Sequence, residues 1–234
     1  MALSPAQRHN QKIAVQKQLE RRQSVESVNS LHLQIQALNQ DLAALSDLPM
    51  ISDRVAHKRD VLLPKWMPTV DAYLESGSEF DHPVFAWCVV WLFDVGDLDK
   101  ALELADVAIA KRQPTPEKFR SPFPAFVADT VMEWAESTTA AGESIEPYFS
   151  RTFENVVTRW RLHEEITAKW YKFAGLQLLR DDSGQPRATA VEDVETLEKA
   201  AVLLATAEKL YKRVGVGTMR NQIAARLRSL AKEQ

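Results

Sequence analysis

The chain has 234 residues, of which 45% are apolar and 26% charged, with a formal net charge of −3. These values are ordinary for a folded protein in water. A lone cysteine, Cys88, excludes an internal disulfide framework and a metal site built from several thiolates of one chain. No apolar run reaches the roughly 18 residues of a membrane span, and the N-terminus lacks an apolar secretory segment. We therefore expect a soluble cytoplasmic protein.

The small net charge conceals an uneven distribution of charged residues along the chain. Residues 1–65 hold nine Lys or Arg against six Asp or Glu, and residues 66–150 hold five against fifteen. Residues 151–234 are basic again, with fifteen against eleven. Each basic end suits a polyanion, while the acidic middle suits solvent or a basic protein partner.

Residues 1–23 form a basic arm. They hold five Lys or Arg against one Glu and show little apolar periodicity, so we expect a flexible segment. Cations on an unburied segment can neutralise phosphates. We predict that DNA contacts come from the arm's cations and its histidine, namely Arg8, His9, Lys12, Lys17, Arg21 and Arg22.

A heptad pattern follows the arm. Its apolar residues recur at spacings of 3, 4, 3, 4 and 3, which places them on one edge of a helix that needs a partner helix. We call this edge the seam, and predict that it mediates oligomerisation; its residues are Val28, Leu31, Ile35, Leu38, Leu42 and Leu45. Two alternatives stay open, because the pattern also suits a two-stranded coil or the core face of a hairpin within one chain.

The seam helix is predicted from Ser24 to Leu48, where Pro49 ends it. A second short helix, about 52–63, would begin at Ser52 as its N-cap and fold back on the first. Residues 24–65 are thus predicted to form a helical hairpin.

The remainder, residues 66–234, reads as a series of helices separated by loops rich in Pro, Gly and Ser. No segment alternates with a period of two, so the predicted fold class is all-α. In one helix pair, Gly96, Leu98, Ala101 and Ala108 fall where a tetratricopeptide unit places its Gly, aromatic and two Ala positions. We predict a helical-repeat-like domain.

Five segments match a known family in order. They are Ser4-Pro5-Ala6-Gln7-Arg8-His9, Leu62-Leu63-Pro64-Lys65-Trp66-Met67-Pro68, Gly96-Asp97-Leu98-Asp99-Lys100-Ala101-Leu102-Glu103-Leu104-Ala105, Arg120-Ser121-Pro122-Phe123-Pro124 and Ala140-Ala141-Gly142-Glu143-Ser144. Together they resemble the small terminase subunit (gpM) family of Peduovirus-like tailed bacteriophages, over about residues 4–230.

The resemblance implies a DNA-packaging factor of the infected host's cytoplasm. Its members recognise a cohesive-end packaging site on double-stranded viral DNA, assemble as rings, and recruit and regulate a large ATPase-nuclease subunit. The family often carries the label "terminase endonuclease subunit". Some relatives have a long basic C-terminal tail, whereas this chain ends after one modest basic helix.

The sequence shows no nuclease constellation, so no catalytic residue, metal site or cofactor is assigned. No phosphate-binding loop, HExxH motif or Cys/His ligand set occurs. The nearest acidic group is Asp99, Glu103 and Asp106 at i, i+4 and i+7, which we interpret as a solvated helix face. Cys88 reads as a buried thiol and His163 as a surface histidine.

Tryptophans beside cations, at Trp160 and Trp170, resemble stacking platforms for single strands. Both fall on apolar helix stripes, however, so we predict core packing. Two further functions stay open: a protein-interaction scaffold that binds no DNA, and a metal-dependent endonuclease.

Overall fold

The computed structural model describes Ile13, Lys17, residues 30–181 and residues 184–233. These residues contain helices and no strand, apart from an isolated β-bridge between Arg180 and Pro186. The all-α prediction is confirmed, whereas the tetratricopeptide-like detail stays a prediction. No helix among the described residues is long and apolar enough to cross a membrane.

The helices follow one another with short connections. They are α1 (residues 30–47), α2 (Ile51–His57), α3 (Leu63–Glu75), α4 (Pro83–Asp94), α5 (Leu98–Ala110), α6 (Phe123–Ala140), α7 (Tyr148–Glu154), α8 (Glu164–Gln177), α9 (Val194–Leu210) and α10 (Gly217–Glu233). Single π-helical turns follow α2 and α7, and 3₁₀ turns lie at Ala188–Ala190 and Lys212–Val214.

The chain divides into two compact units, the first ending at Asp97 and the second beginning at Leu98. The described part of the first unit contains α1 to α4, and that of the second contains α5 to α10. The predicted boundary after residue 65 falls inside α3. The predicted scheme of arm, hairpin and repeat-like domain stays a prediction.

In the first unit, α1 ends before Pro49 as predicted, but the next helical stretch is much longer than expected. It begins at Ile51, ahead of the predicted cap Ser52, and continues through the turn Lys58–Leu62 into α3. Pro64 is the second residue of α3 and directly follows the π-helical turn, and Pro68 lies inside α3. Neither proline ends the helical stretch.

Helix α4 is the most deeply buried element of the first unit. Nine of its twelve residues are buried, from Val84 to Phe93. The Nδ1 atom of His82 accepts a hydrogen bond from the Phe85 N–H and caps the helix start. At the other end Gly96 adopts φ +78°, and its N–H donates to the Phe93 carbonyl at the end of the helix.

In the second unit, α8 packs most extensively on α9. Gly175 permits this approach, because a Cβ built there would lie 2.9 Å from the Leu204 side chain and 3.3 Å from the Ala200 carbonyl. Asp193 caps α9 by accepting hydrogen bonds from the Glu195 and Thr196 N–H groups.

Candidate functional site

Of the six predicted DNA contacts, the structure describes only Lys17. Lys17 is helical and exposed, and so is Ile13, whose exposed fraction is 40%. The other five lie outside the described residues: Arg8, His9, Lys12, Arg21 and Arg22. The predicted DNA-binding role of the arm stays a prediction.

The seam is covered unevenly within a single chain. Leu38 and Leu45 are buried, with exposed fractions of 2% and 8%. Leu31, Ile35 and Leu42 are half-buried, and Val28 lies outside the described residues. Leu38 and Leu45, in the C-terminal half of the seam, therefore contribute to the core of their own chain. Leu31 and Ile35, in its N-terminal half, are less covered. Its predicted role in oligomerisation stays a prediction.

A polar anchor ties the seam helix to α3. Both carboxylate oxygens of Asp41 accept hydrogen bonds from the Lys65 ammonium, at 2.8 and 2.7 Å. The buried Trp66 ring donates its Nε1–H to Asp41 Oδ2 at 2.7 Å, and the Lys65 Nζ lies 5.0 Å from the centre of that ring. Sequence reasoning missed this anchor; the only signal was one acidic residue beside an apolar seam.

A groove of about 540 Å³ opens between the start of α1 and the end of α3. We call it the α1–α3 groove, and its lining includes Leu31, Pro68, Ala72, Tyr73, Phe80 and His82. The Tyr73 hydroxyl donates to the Phe80 carbonyl at 2.8 Å, and the Phe80 and His82 rings stack with centres 5.5 Å apart. Burial lowers the pKa of His82 below its ordinary value, which favours the neutral ring. Five polar residues complete the lining: Ser30, Gln34, Thr69, Ser76 and Ser78.

Several exposed acidic residues are adjacent in sequence to residues that line this groove. No Lys or Arg occurs between Lys65 and Lys100. Within that stretch Glu75, Glu79 and Asp81 are exposed and flank groove-lining positions. An occupant of the groove would therefore meet a lining of both apolar and polar side chains, with carboxylates at neighbouring sequence positions.

The acidic group on α5 has separate partners. Asp99 accepts a hydrogen bond from the Tyr148 hydroxyl at 3.0 Å, and Asp106 pairs with Arg151 at 2.6 Å. Glu103 pairs with Lys100 at 3.0 Å. Across residues 30–181 and 184–233, no group of three or more His, Cys, Asp or Glu side chains could hold a metal ion.

Single residues lie where the sequence indicated. Cys88 is fully buried, and desolvation raises the pKa of its thiol to about 12, which suppresses the reactive thiolate. Trp170 is buried and stacks on Phe149 with ring centres 5.2 Å apart, so the predicted core packing is confirmed. His163 is exposed at the start of α8, and Trp160 is half-buried.

A basic corner lies where α9 meets α10. Lys209, Lys212 and Arg213 are exposed there, and the 26 residues from 209 to the end hold seven Lys or Arg against one Glu. The Lys172 ammonium donates to the Val214 carbonyl at 2.8 Å and adds a fourth cation. Substitutions of cations in this basic corner can therefore serve as controls for substitutions of cations in the basic arm.

Comparisons with known proteins identify a phage protein family. The family model of the phage small terminase subunit matches residues 35–165, more than half of the chain. The probable terminase, endonuclease subunit of Haemophilus phage HP1 (strain HP1c1) is 42% identical over 196 residues, which cover 84% of this chain and 70% of the relative.

The terminase, endonuclease subunit of Escherichia phage P2 is 30% identical over 189 residues, or 80% of this chain and 75% of the relative. No solved structure matches the chain. The chain therefore belongs to the phage small terminase subunit family, which confirms the resemblance found in the sequence.

Proposed function

We propose that this small terminase subunit assembles as a homo-oligomer in the host cytoplasm and recognises a cohesive-end packaging site on viral double-stranded DNA. It then recruits and regulates the large ATPase-nuclease subunit. Family membership supports the packaging role. The observation that carries the DNA-binding role is the composition of the basic arm, which contains five Lys or Arg residues and only one Glu.

The proposed mechanism is additive. Each arm neutralises phosphates and releases the counterions condensed on DNA. Because an oligomer links several arms, the second and later contacts occur at high effective concentration, so no single arm has to bind tightly. Orientation on the DNA then follows from the arrangement of the arms.

The test is the salt dependence of binding, measured by fluorescence anisotropy with the full chain and a cohesive-end duplex. If one arm neutralises five phosphates, log affinity falls with log salt at a slope of about −4 to −5 per engaged arm. Each arm cation replaced by Gln should reduce the slope by about 1. Suitable single variants are Lys12→Gln, Lys17→Gln and Arg21→Gln.

The matched control replaces cations of the basic corner, Lys209→Gln, Lys212→Gln and Arg213→Gln. They are exposed and change the net charge equally, so our proposal expects the slope to stay as in the unmodified chain. Binding that ignores salt, or that is lost only in the control variants, would contradict the role of the arm. No binding at any salt would favour a protein-interaction scaffold.

A second candidate function comes from the names of the two relatives, both of which are called endonuclease subunits. An endonuclease would cut packaging-site DNA with Mg²⁺ or Mn²⁺ and without the large subunit, and Asp99→Ala or Glu103→Ala would abolish cutting. Glu136→Ala, at an exposed carboxylate of α6, is the control. Our proposal expects no cutting by the chain alone.

A further inference from the structure

Exposed apolar side chains are concentrated in the first unit. Eight large apolar residues of the described chain are exposed, and six of these lie before Asp97: Ile13, Leu33, Met50, Ile51, Val61 and Phe80. Single exposed apolar residues are normal, but groups of them mark interaction surfaces. The first unit therefore offers more exposed apolar positions for contacts with another chain than the second unit does.

Two of these exposed residues, Met50 and Ile51, lie at the turn from α1 into α2, which we call the hairpin tip. Met50 and Ile51 have exposed fractions of 60% and 78% and follow Pro49, between α1 and α2. The Arg54 Nε donates to the Leu48 carbonyl at 2.7 Å, which holds the turn in place. The tip therefore presents two exposed apolar side chains on a turn that is held by a hydrogen bond.

The α1–α3 groove lies near the opposite end of the same helix. Leu31 lines the groove, and at 1.5 Å per residue it is roughly 25 Å from Leu48 along α1. The groove offers about 540 Å³, ample for two aliphatic side chains, and Phe80, 45% exposed, stands beside it.

The charges around the two surfaces are also compatible. Glu75, Glu79 and Asp81 are exposed and adjacent in sequence to groove-lining positions. The stretch that follows the tip, residues 51–60, carries three Lys or Arg against two Asp, and of these cations Lys58 pairs with Asp94 at 2.7 Å. The side chain of Arg59 is 58% exposed and lies 3.7 Å from the Asp60 carboxylate, so the guanidinium is accessible to a carboxylate of another chain.

We propose that the hairpin tip of one copy inserts Met50 and Ile51 into the α1–α3 groove of a second copy. The contact joins two different surfaces, so each added copy leaves one tip and one groove open, and such contacts close into rings when the rotation permits. This inference rests on the proposed homo-oligomer and names its contact. In this proposal the contact between tip and groove, rather than the C-terminal half of the seam, joins the copies, because Leu38 and Leu45 are already buried within one chain.

The test separates the two halves of the contact in the full chain. Ile51→Glu places a charge on the tip, and Ala72→Arg places a long cation in the groove. Both positions are exposed, so circular dichroism should show unchanged helix content. Native mass spectrometry should find each variant monomeric when alone. An equal mixture should give a pair containing one copy of each variant, in which the intact tip fills the intact groove, and no larger species.

Three further variants complete the design. Met50→Glu and Phe80→Ala repeat the tip and groove changes at second positions, in case either first variant fails to fold. Val202→Glu is the control, because Val202 is 65% exposed in the second unit, and it should leave the mass of the oligomer unchanged.

The outcomes distinguish the inference from the function it rests on. An oligomer that persists in both the tip and the groove variants would overturn the contact and leave the proposed assembly intact. Variants that become monomeric but form no mixed pair would also overturn it, since a contact between like surfaces or through the arm behaves that way. An unmodified chain that is monomeric at every concentration would overturn the contact and the proposed assembly together.

Discussion

Replacement of Leu38 by Ala tests whether the seam lies within one chain. Leu38 is 2% exposed in the single chain, so its truncation removes buried methyl groups and leaves a cavity. Such changes cost about 2–5 kcal/mol of the free energy of unfolding. Leu33→Ala, on the same helix at 64% exposure, is the matched control and should cost less than about 0.5 kcal/mol.

The assay is urea unfolding followed by far-UV circular dichroism at a low and a high chain concentration. Because the burial is intramolecular, the loss of stability in Leu38→Ala should be the same at both concentrations. A loss no larger than that of Leu33→Ala would refute the packing. A loss that appears only at high concentration would place the seam between chains.

Three further predictions concern the first unit. Asp41→Ala should cost about 1–3 kcal/mol because it leaves the buried Trp66 N–H without an acceptor, whereas Asp41→Asn keeps an acceptor and should cost about 0–1 kcal/mol; equal losses in urea unfolding would contradict this. Since burial lowers the pKa of His82 in the folded chain, the unfolded chain binds the proton more readily, and the free energy of unfolding should decline as pH falls below about 6.5. His82→Asn should make that decline shallower between about pH 7.5 and about pH 5.5, and an unchanged profile would contradict the role of His82. Burial raises the pKa of Cys88 to about 12, so an aromatic disulfide reagent should label it only in unfolding concentrations of urea, and rapid labelling of the folded chain would be inconsistent with its burial.

Local chain chemistry made much of the fold predictable. Pro49 ends α1 and Gly96 follows the end of α4, because proline cannot continue a helix and glycine accepts the left-handed conformation of a helix end. Proline usually disfavours helix continuation, yet α3 contains both Pro64 and Pro68. Pro64 follows the π-helical turn Lys58–Leu62 and Pro68 lies in the interior of α3, so neither proline ends the helical stretch.

The candidate site was less predictable, because its contacts join residues that are distant in sequence. A heptad pattern predicts that one edge of a helix is covered by another helix. It does not show whether that second helix belongs to the same chain or to another copy. The pairing of Asp41 with Trp66 and the clustering of Leu31 with Phe80 appear only once α1 packs near α3. Nothing in the sequence pattern distinguishes the five exposed apolar residues among residues 30–97 from buried ones. Their exposure is known only from the structure.

Native mass spectrometry of the full chain with a cohesive-end duplex tests the central claim most directly. The account predicts one oligomer of fixed subunit number that binds the duplex and releases it as salt rises. A chain that stays monomeric and free of DNA at every concentration and salt would contradict the proposed assembly and DNA recognition.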